Sequence, residues 1–368
     1  MILCFVLDQV GVYMAKRDFV DRVDSVDPVG KLSSYSLCQL KQPAFVQLSC
    51  TFRYGRDDMD VMGIAFRREI YMAIRQVYPP MQDREQSTHT KMQGKLLRKL
   101  GDNAFPFFFE FPDNLPCSVG LQPGPKDSGK QCVVEFEVKA FSAESQEAKV
   151  RKRSTVHLMI RKLQYAPENS GTAPSVKTTR EFVMSDKPLH LEASLDKEIY
   201  YHGEPINVCV DVTNSSNKNV KNIIVSVDQV ATVVLYSNDS YVRAGGLRGI
   251  WVSIHLKKVY TLTPLLICNR ERRGIAVDGK LKHEDTNLAS SSIVKEGVLK
   301  EVLGILVSYR VMVKLIIGGS VGVELPLTLM HPKPDLEEMV FEEFKRSHLK
   351  GMADDEEEGN VSTGDAAS

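Results

Sequence analysis

Between Val46 and Phe52 apolar and polar side chains alternate, with Val46, Leu48, Cys50 and Phe52 set against Gln47, Ser49 and Thr51. A period of two puts the first group on one face of a strand and the second on the other, so the segment predicts a half-buried strand. The same period recurs at Val134–Val138, Val156–Ile160, Ile206–Val212 and Ile223–Val227. Turn-forming clusters separate these runs: PGPKDSG, APENSG and NSSN. Many short strands at such spacing predict an all-β chain of two antiparallel, immunoglobulin-like β-sandwiches. One helix interrupts them. In THTKMQGKLLRKL, Met92, Leu96 and Leu100 recur every fourth residue on one helical face. Thr90 and Gln93 fit a capping box, and Gly101 fits the stop. Gly94 inside it costs about 1 kcal/mol against alanine, so this short helix, placed on the first sandwich, depends on a surface to pack against.

A length of 368 residues suits two domains. The stretch QYAPENSGTAPSVKTTREF, rich in Pro, Gly, Ser and Thr, reads as a linker. It sets a first domain over 1–174, a second over 175–334 and a tail over 335–368. The end of that tail, DDEEEGNVSTGDAAS, has the composition of a disordered segment. Apolar residues make up 43% of the chain, enough for two cores. Lys plus Arg and Asp plus Glu balance at 47 each, which argues against a nucleic-acid partner and leaves any anion site to a local patch. Seven cysteines without a CxxC pair read as buried thiols in a reducing compartment. The opening MILCFVL has neither a basic leader nor a small-residue cleavage site. No run reaches the roughly 18 apolar residues of a membrane span. The expected location is the cytoplasm.

Motifs of catalysis fail on inspection. GPKDSGK, over Gly124–Lys130, has the spacing of a phosphate-binding loop, but Gln131 stands where a hydroxyl should reach magnesium. A strand pattern follows it instead of a helix, and Pro125 lacks an amide. No GxSxG elbow occurs. The eight histidines are spread out with no metal-ligand spacing, so neither a metal nor a cofactor is expected. His283, Glu284 and Asp285 could serve acid–base chemistry, but no nucleophile accompanies them. An enzyme is the weaker class, and a binding protein the stronger.

The loop from Gly274 to Ser290 carries Asp278 and Asp285 seven residues apart, with Lys280, Lys282 and His283 between them. By composition alone it is a solvated turn. The strand pattern Ser154–Gln164 changes the balance, because it places Arg161 on the parity of His157 and Met159. A guanidinium keeps its charge at any ordinary pH, so a buried arginine needs acceptors, and the two aspartates could supply them.

These strings, with AKRDFVD, QPGPKDSGK, MSDKPL and YYHGEPI, resemble the arrestin family along most of the chain; FRYGRDDMDVMGIAFRREIY and the short acidic tail resemble its cone-type members. The resemblance implies a polar core of Asp18, Arg161, Asp278, Asp285 and Arg346 that holds two sandwiches in a resting orientation. It implies receptor phosphate binding by Lys16, Arg17, Arg161, Lys280 and Lys282. It makes Tyr54, Asp57, Asp58, Met59, Asp60, Val61 and Met62 a finger loop entering the activated receptor. Apolar residues exposed on such a loop already favour a binding role. It makes Val340, Phe341 and Phe344 of the tail a lock on Met92, Leu96 and Leu100. The implied partner is a phosphorylated, activated opsin or related receptor, with G-protein coupling blocked, in the photoreceptor outer segment; the alternative is an endocytic adaptor arrestin for non-visual receptors. His348 in place of a further arginine, and the lack of a clathrin-box string, imply weak or absent clathrin-adaptor binding. Three stretches depart from the family pattern, as in a variant transcript or gene model. The start lacks an adjacent lysine pair, Val242–His255 replaces an acidic strand and proline turn, and the hairpin near IIGGSVGVELP is short.

Overall fold

The computed structural model describes residues 3–7, 10–14, 16–22, 26, 29, 32–36, 42–56, 66–79, 98, 104–112, 114–124, 129–148, 155–165, 171–183, 185–236, 239–251, 256–270, 272–281, 286–294, 303–317 and 319–331. Among the described residues up to Tyr165 the strands are β1 (Leu3–Leu7), β2 (Val10–Met14), β3 (Asp18–Asp21), β4 (Leu32–Ser36), β5 (Ala44–Arg56), β6 (Phe66–Tyr78), β7 (Ala104–Phe107), β8 (Val119–Leu121), β9 (Lys130–Ser142) and β10 (Thr155–Gln164). β1, β2, β4 and β7 form one sheet, in the order β1-β2-β4-β7. The facing sheet runs β8-β9-β10-β3, with β5 paired to both β9 and β6. The alternation in β5 has its expected cause: Val46, Leu48, Cys50 and Phe52 are all fully buried, as are Val134, Phe136 and Val138 on β9 beside it.

The second half supplies β11 (Ser175–Arg180), β12 (Leu189–Leu195), β13 (Ile199–Tyr201), β14 (Ile206–Asn214), β15 (Asn222–Tyr236), β16 (Asp239–Trp251), β17 (Leu256–Leu262), β18 (Ala276–Asp278), β19 (Ile305–Ile316) and β20 (Ser320–Met330). One sheet runs β11-β12-β14-β17 and the other β13-β20-β19-β15-β16. The chain is thus two β-sandwiches. Residues 175–180, read from composition as linker, are instead β11, which pairs in register with β12. The atypical stretch from Val242 enters β16, an edge strand hydrogen-bonded along β15. The predicted helix, with Met92, Leu96 and Leu100, lies outside the described residues apart from Arg98.

β18 is the exception to this division. It lies in the chain between β17 and β19 of the second sandwich but adds to the first, pairing antiparallel with β8 so that Asp278 stands opposite Val119. Its other side is tied to the second sandwich by a side chain. Gln229 of β15 donates from Nε2 to the Ala276 carbonyl at 2.9 Å and accepts from the Ala276 amide at 2.8 Å, as a neighbouring strand would. Tyr309 of β19 donates to the Ala289 carbonyl at 2.6 Å and accepts from Gln229.

Gly304, just before β19, makes a second joint. Its φ of 71° is in the left-handed region, and a Cβ there would lie 3.0 Å from the Phe52 ring of the first sandwich. Gly304→Ala therefore combines backbone strain with a clash against a fully buried ring. It should destabilise the chain by more than about 1 kcal/mol. Gly319→Ala, where a Cβ meets nothing closer than 3.9 Å, should stay within about 0.5 kcal/mol. Urea unfolding midpoints of the two variants check the difference.

Candidate functional site

β3 lies parallel to β10, with Asp18 opposite Arg161 and Asp21 opposite Gln164. Alternation then places Asp18 and Arg161 on one face of the sheet, and Lys162 with Asp21 on the other. Arg161 shares its face with exposed His157, while Lys162 shares the core face with Leu158 and Ile160.

On the outer face Arg161 donates from Nε to Asp18 Oδ1 at 2.7 Å and from Nη2 to Asp18 Oδ2 at 2.8 Å, the two-pronged geometry that makes such pairs strong. Its Nη1 donates to the Gly279 carbonyl at 3.3 Å. The pair is asymmetric in exposure: the Arg161 side chain is 10% exposed and that of Asp18 is 43% exposed. Gly279 is required for this approach, because a Cβ there would sit 2.6 Å from Ser118 Cβ. The Gly279 amide in turn donates to the Ser118 carbonyl at 3.1 Å.

Asp278 is buried beside this pair but is held by other groups. Its Oδ1 accepts from the Ser290 amide at 3.1 Å. Its Oδ2 lies 3.2 Å from His331 Nδ1 and 3.8 Å from His202 Nε2. Of the two acceptors that the sequence offered Arg161, Asp278 instead meets His331 and lies near His202, Asp285 is outside the described residues, and Asp18 takes the guanidinium. Burial pushes His202 down to about 4, against the pull of Asp278.

On the core face Lys162 is fully buried and donates to Asp21, to the Leu115 carbonyl at 3.1 Å and to Cys117 Sγ at 3.7 Å. Burial opposes its charge, but Cys117 and Asp21 outweigh burial and hold its pKa above the ordinary value. Burial pushes the Cys117 thiol up to about 11. Sequence reasoning missed this pair. The signal was the parity of Lys162 with Leu158 and Ile160, a charge on the apolar face of a strand.

Of the remaining predicted residues, Lys16 is exposed and its Nζ lies 5.4 Å from the Phe19 ring centroid. Arg17 donates from Nε to the Met159 carbonyl at 2.9 Å, and its own carbonyl accepts from the Arg161 amide at 2.8 Å. Lys280 is exposed, next to Gly279. Tyr54 is half-buried on β5. Asp57, Asp58, Met59, Asp60, Val61, Met62, Lys282, Asp285, Val340, Phe341, Phe344 and Arg346 lie outside the described residues. Among the described residues no helix is long and apolar enough to cross a membrane. The sequence of the Gly124–Lys130 loop runs into β9, a strand, as its pattern predicts.

Two β-sandwiches that meet at a seam holding charged groups define a class of two-domain, all-β proteins. Residues 11–166 match the arrestin (or S-antigen) N-terminal domain, and residues 185–334 match the arrestin C-terminal domain. The chain is 52% identical over 388 residues to arrestin red cell isoform 2 of Oncorhynchus mykiss, covering 95% of this chain and 96% of that one. It is 53% identical over 387 residues to beta-arrestin-2 of Homo sapiens, covering 95% and 94%. With beta-arrestin-2 of Bos taurus it is 58% identical over 333 residues, covering 89% and 79%. The protein belongs to the arrestin family.

Asp21→Asn leaves the buried Lys162 charge without its counter-ion and should cost about 3–5 kcal/mol. Adding Lys162→Met should recover part of that loss by removing the charge itself. Denaturant unfolding of the single and double variants measures both effects.

Proposed function

We propose that this arrestin captures activated, phosphorylated G-protein-coupled receptors of the non-visual class and blocks their coupling to G protein. The observation that carries the reading is the Arg161–Asp18 pair, in a chain aligned almost end to end with beta-arrestin-2. The cone-type assignment and the photoreceptor location drawn from the Tyr54–Phe66 string gain no support from these relatives, which bear beta-arrestin-2 and red cell names.

The chemistry is a competition for one guanidinium. A receptor phosphate brings about −1.5 to −2 charge and three acceptor oxygens. Asp18 is the exposed partner of the pair, so phosphate reaches Arg161 from the solvent side. Lys16, Arg17 and Lys280 flank the approach and offer further positive charge. Once Arg161 turns to phosphate, Asp18 loses its counter-ion and the contact to the Gly279 carbonyl weakens. That contact ties β10 to the segment after β18, so its loss frees the seam between the sandwiches. In this reading Asp285 and Arg346 complete the charged core. The segment Asp57–Met62 enters the receptor, and Val340, Phe341 and Phe344 hold the resting state against Met92, Leu96 and Leu100.

Arg161→Glu should give binding to an activated, unphosphorylated receptor. Because Asp18 is the register partner, Arg161→Glu combined with Asp18→Arg should restore phosphate dependence, with a coupling energy of about 0.5–3 kcal/mol. Equal effects in single and double variants would refute the pairing as the phosphate sensor. Pull-down of full-length protein with an agonist-occupied phosphorylated non-visual receptor, and in parallel with phosphorylated light-activated opsin, separates the receptor classes. At least tenfold preference for the first is expected, and preference for opsin overturns the non-visual assignment. A parallel pull-down with clathrin adaptor tests the weak adaptor binding expected from His348.

A further inference from the structure

Beside the Arg161–Asp18 pair the seam holds a second cluster. β13 and β20 run parallel with Tyr201 opposite Met330, so the next residues, His202 and His331, come side by side. The His202 amide donates to the Met330 carbonyl at 3.2 Å, and the two rings stand 5.8 Å apart at 70°. Asp278, from the end of β18, reaches the same point. One donor atom from each of the three residues lies within 4.8 Å of the others.

The arrangement leaves a polar atom unsatisfied. The His202 side chain is 8% exposed, and its Nε2 has no hydrogen-bond partner, since Asp278 Oδ2 at 3.8 Å is beyond hydrogen-bond reach. Tetrahedral zinc holds nitrogen and oxygen ligands at about 2.0–2.2 Å, which sets neighbouring ligand atoms roughly 3.3–3.6 Å apart. The separations of 3.2 and 3.8 Å around Asp278 Oδ2 bracket that value. His331 is 22% exposed on its side chain, so the cluster can be approached from solvent.

We propose that His202, Asp278 and His331 form a binding site for a divalent transition metal, zinc above the others, bridging the two sandwiches. Two imidazoles with one carboxylate suit zinc and leave one position open. Asp278 belongs to a strand of the first sandwich, while His202 and His331 follow strands of the second. A bound ion therefore clamps the seam and favours the closed arrangement of the two halves.

The test uses chelator-treated full-length protein. Equilibrium dialysis with zinc chloride should find one tight equivalent per chain, and zinc should raise the melting temperature. Cobalt(II) should give the intense visible d–d bands of tetrahedral nitrogen and oxygen ligation, without thiolate charge-transfer absorption. His202→Asn and His331→Asn should each weaken zinc binding at least tenfold and abolish the cobalt bands and the thermal shift. If His202→Asn fails to fold, the result for the more exposed His331 decides. Absence of stoichiometric binding, bands retained in the variants, or thiolate charge transfer pointing to a cysteine site would each overturn the proposal.

Discussion

Charge removed from water has to meet opposite charge, and at the seam of this arrestin that requirement rests on one strand register. β3 lies beside β10 so that Asp18 and Asp21 arrive on opposite faces, three residues apart, where Arg161 and Lys162 wait on the same two faces. A slip of one residue would turn both aspartates to the wrong side and leave two cations uncompensated. The two pairs differ in kind. Lys162–Asp21 is sealed in the core and serves the fold. Arg161–Asp18 opens to solvent on its acidic side.

β18 carries this local pairing into the geometry of the whole body. It is only three residues long, yet one edge belongs to β8 and the other is read by the Gln229 amide of the second sandwich. The next residue, Gly279, presents its carbonyl to Arg161. Asp278 faces the opposite way, toward His202 and His331. In the proposed reading, two chemically separate groups bear on the same short segment: an anion competing for Arg161 would loosen it, and a cation held by Asp278 would tighten it. The exclusion of side chains at Gly279 and Gly304 shows how closely the two halves approach there.

The period of two in the apolar residues determined most of the strands, because alternate burial on a pleated sheet is a local property. Val46–Phe52, Val134–Val138 and Ile206–Val212 all carry it, and all bury the predicted faces. β11 escaped because Ser175–Arg180 is an exposed strand with no apolar alternation to betray it. The partners of the charges were a different matter. Periodicity marked Arg161 as an arginine that needs acceptors, and proximity in a loop suggested Asp278. The family resemblance put Asp18 in the same polar core, but only the tertiary pairing of β3 with β10 made it the partner of Arg161, across 143 residues of sequence. The same holds for His331 and Asp278, 53 residues apart, which no ligand spacing could reveal. Hydrophobic burial is written into each strand by its own residues; an electrostatic partner depends on which distant segment the folded chain lays alongside.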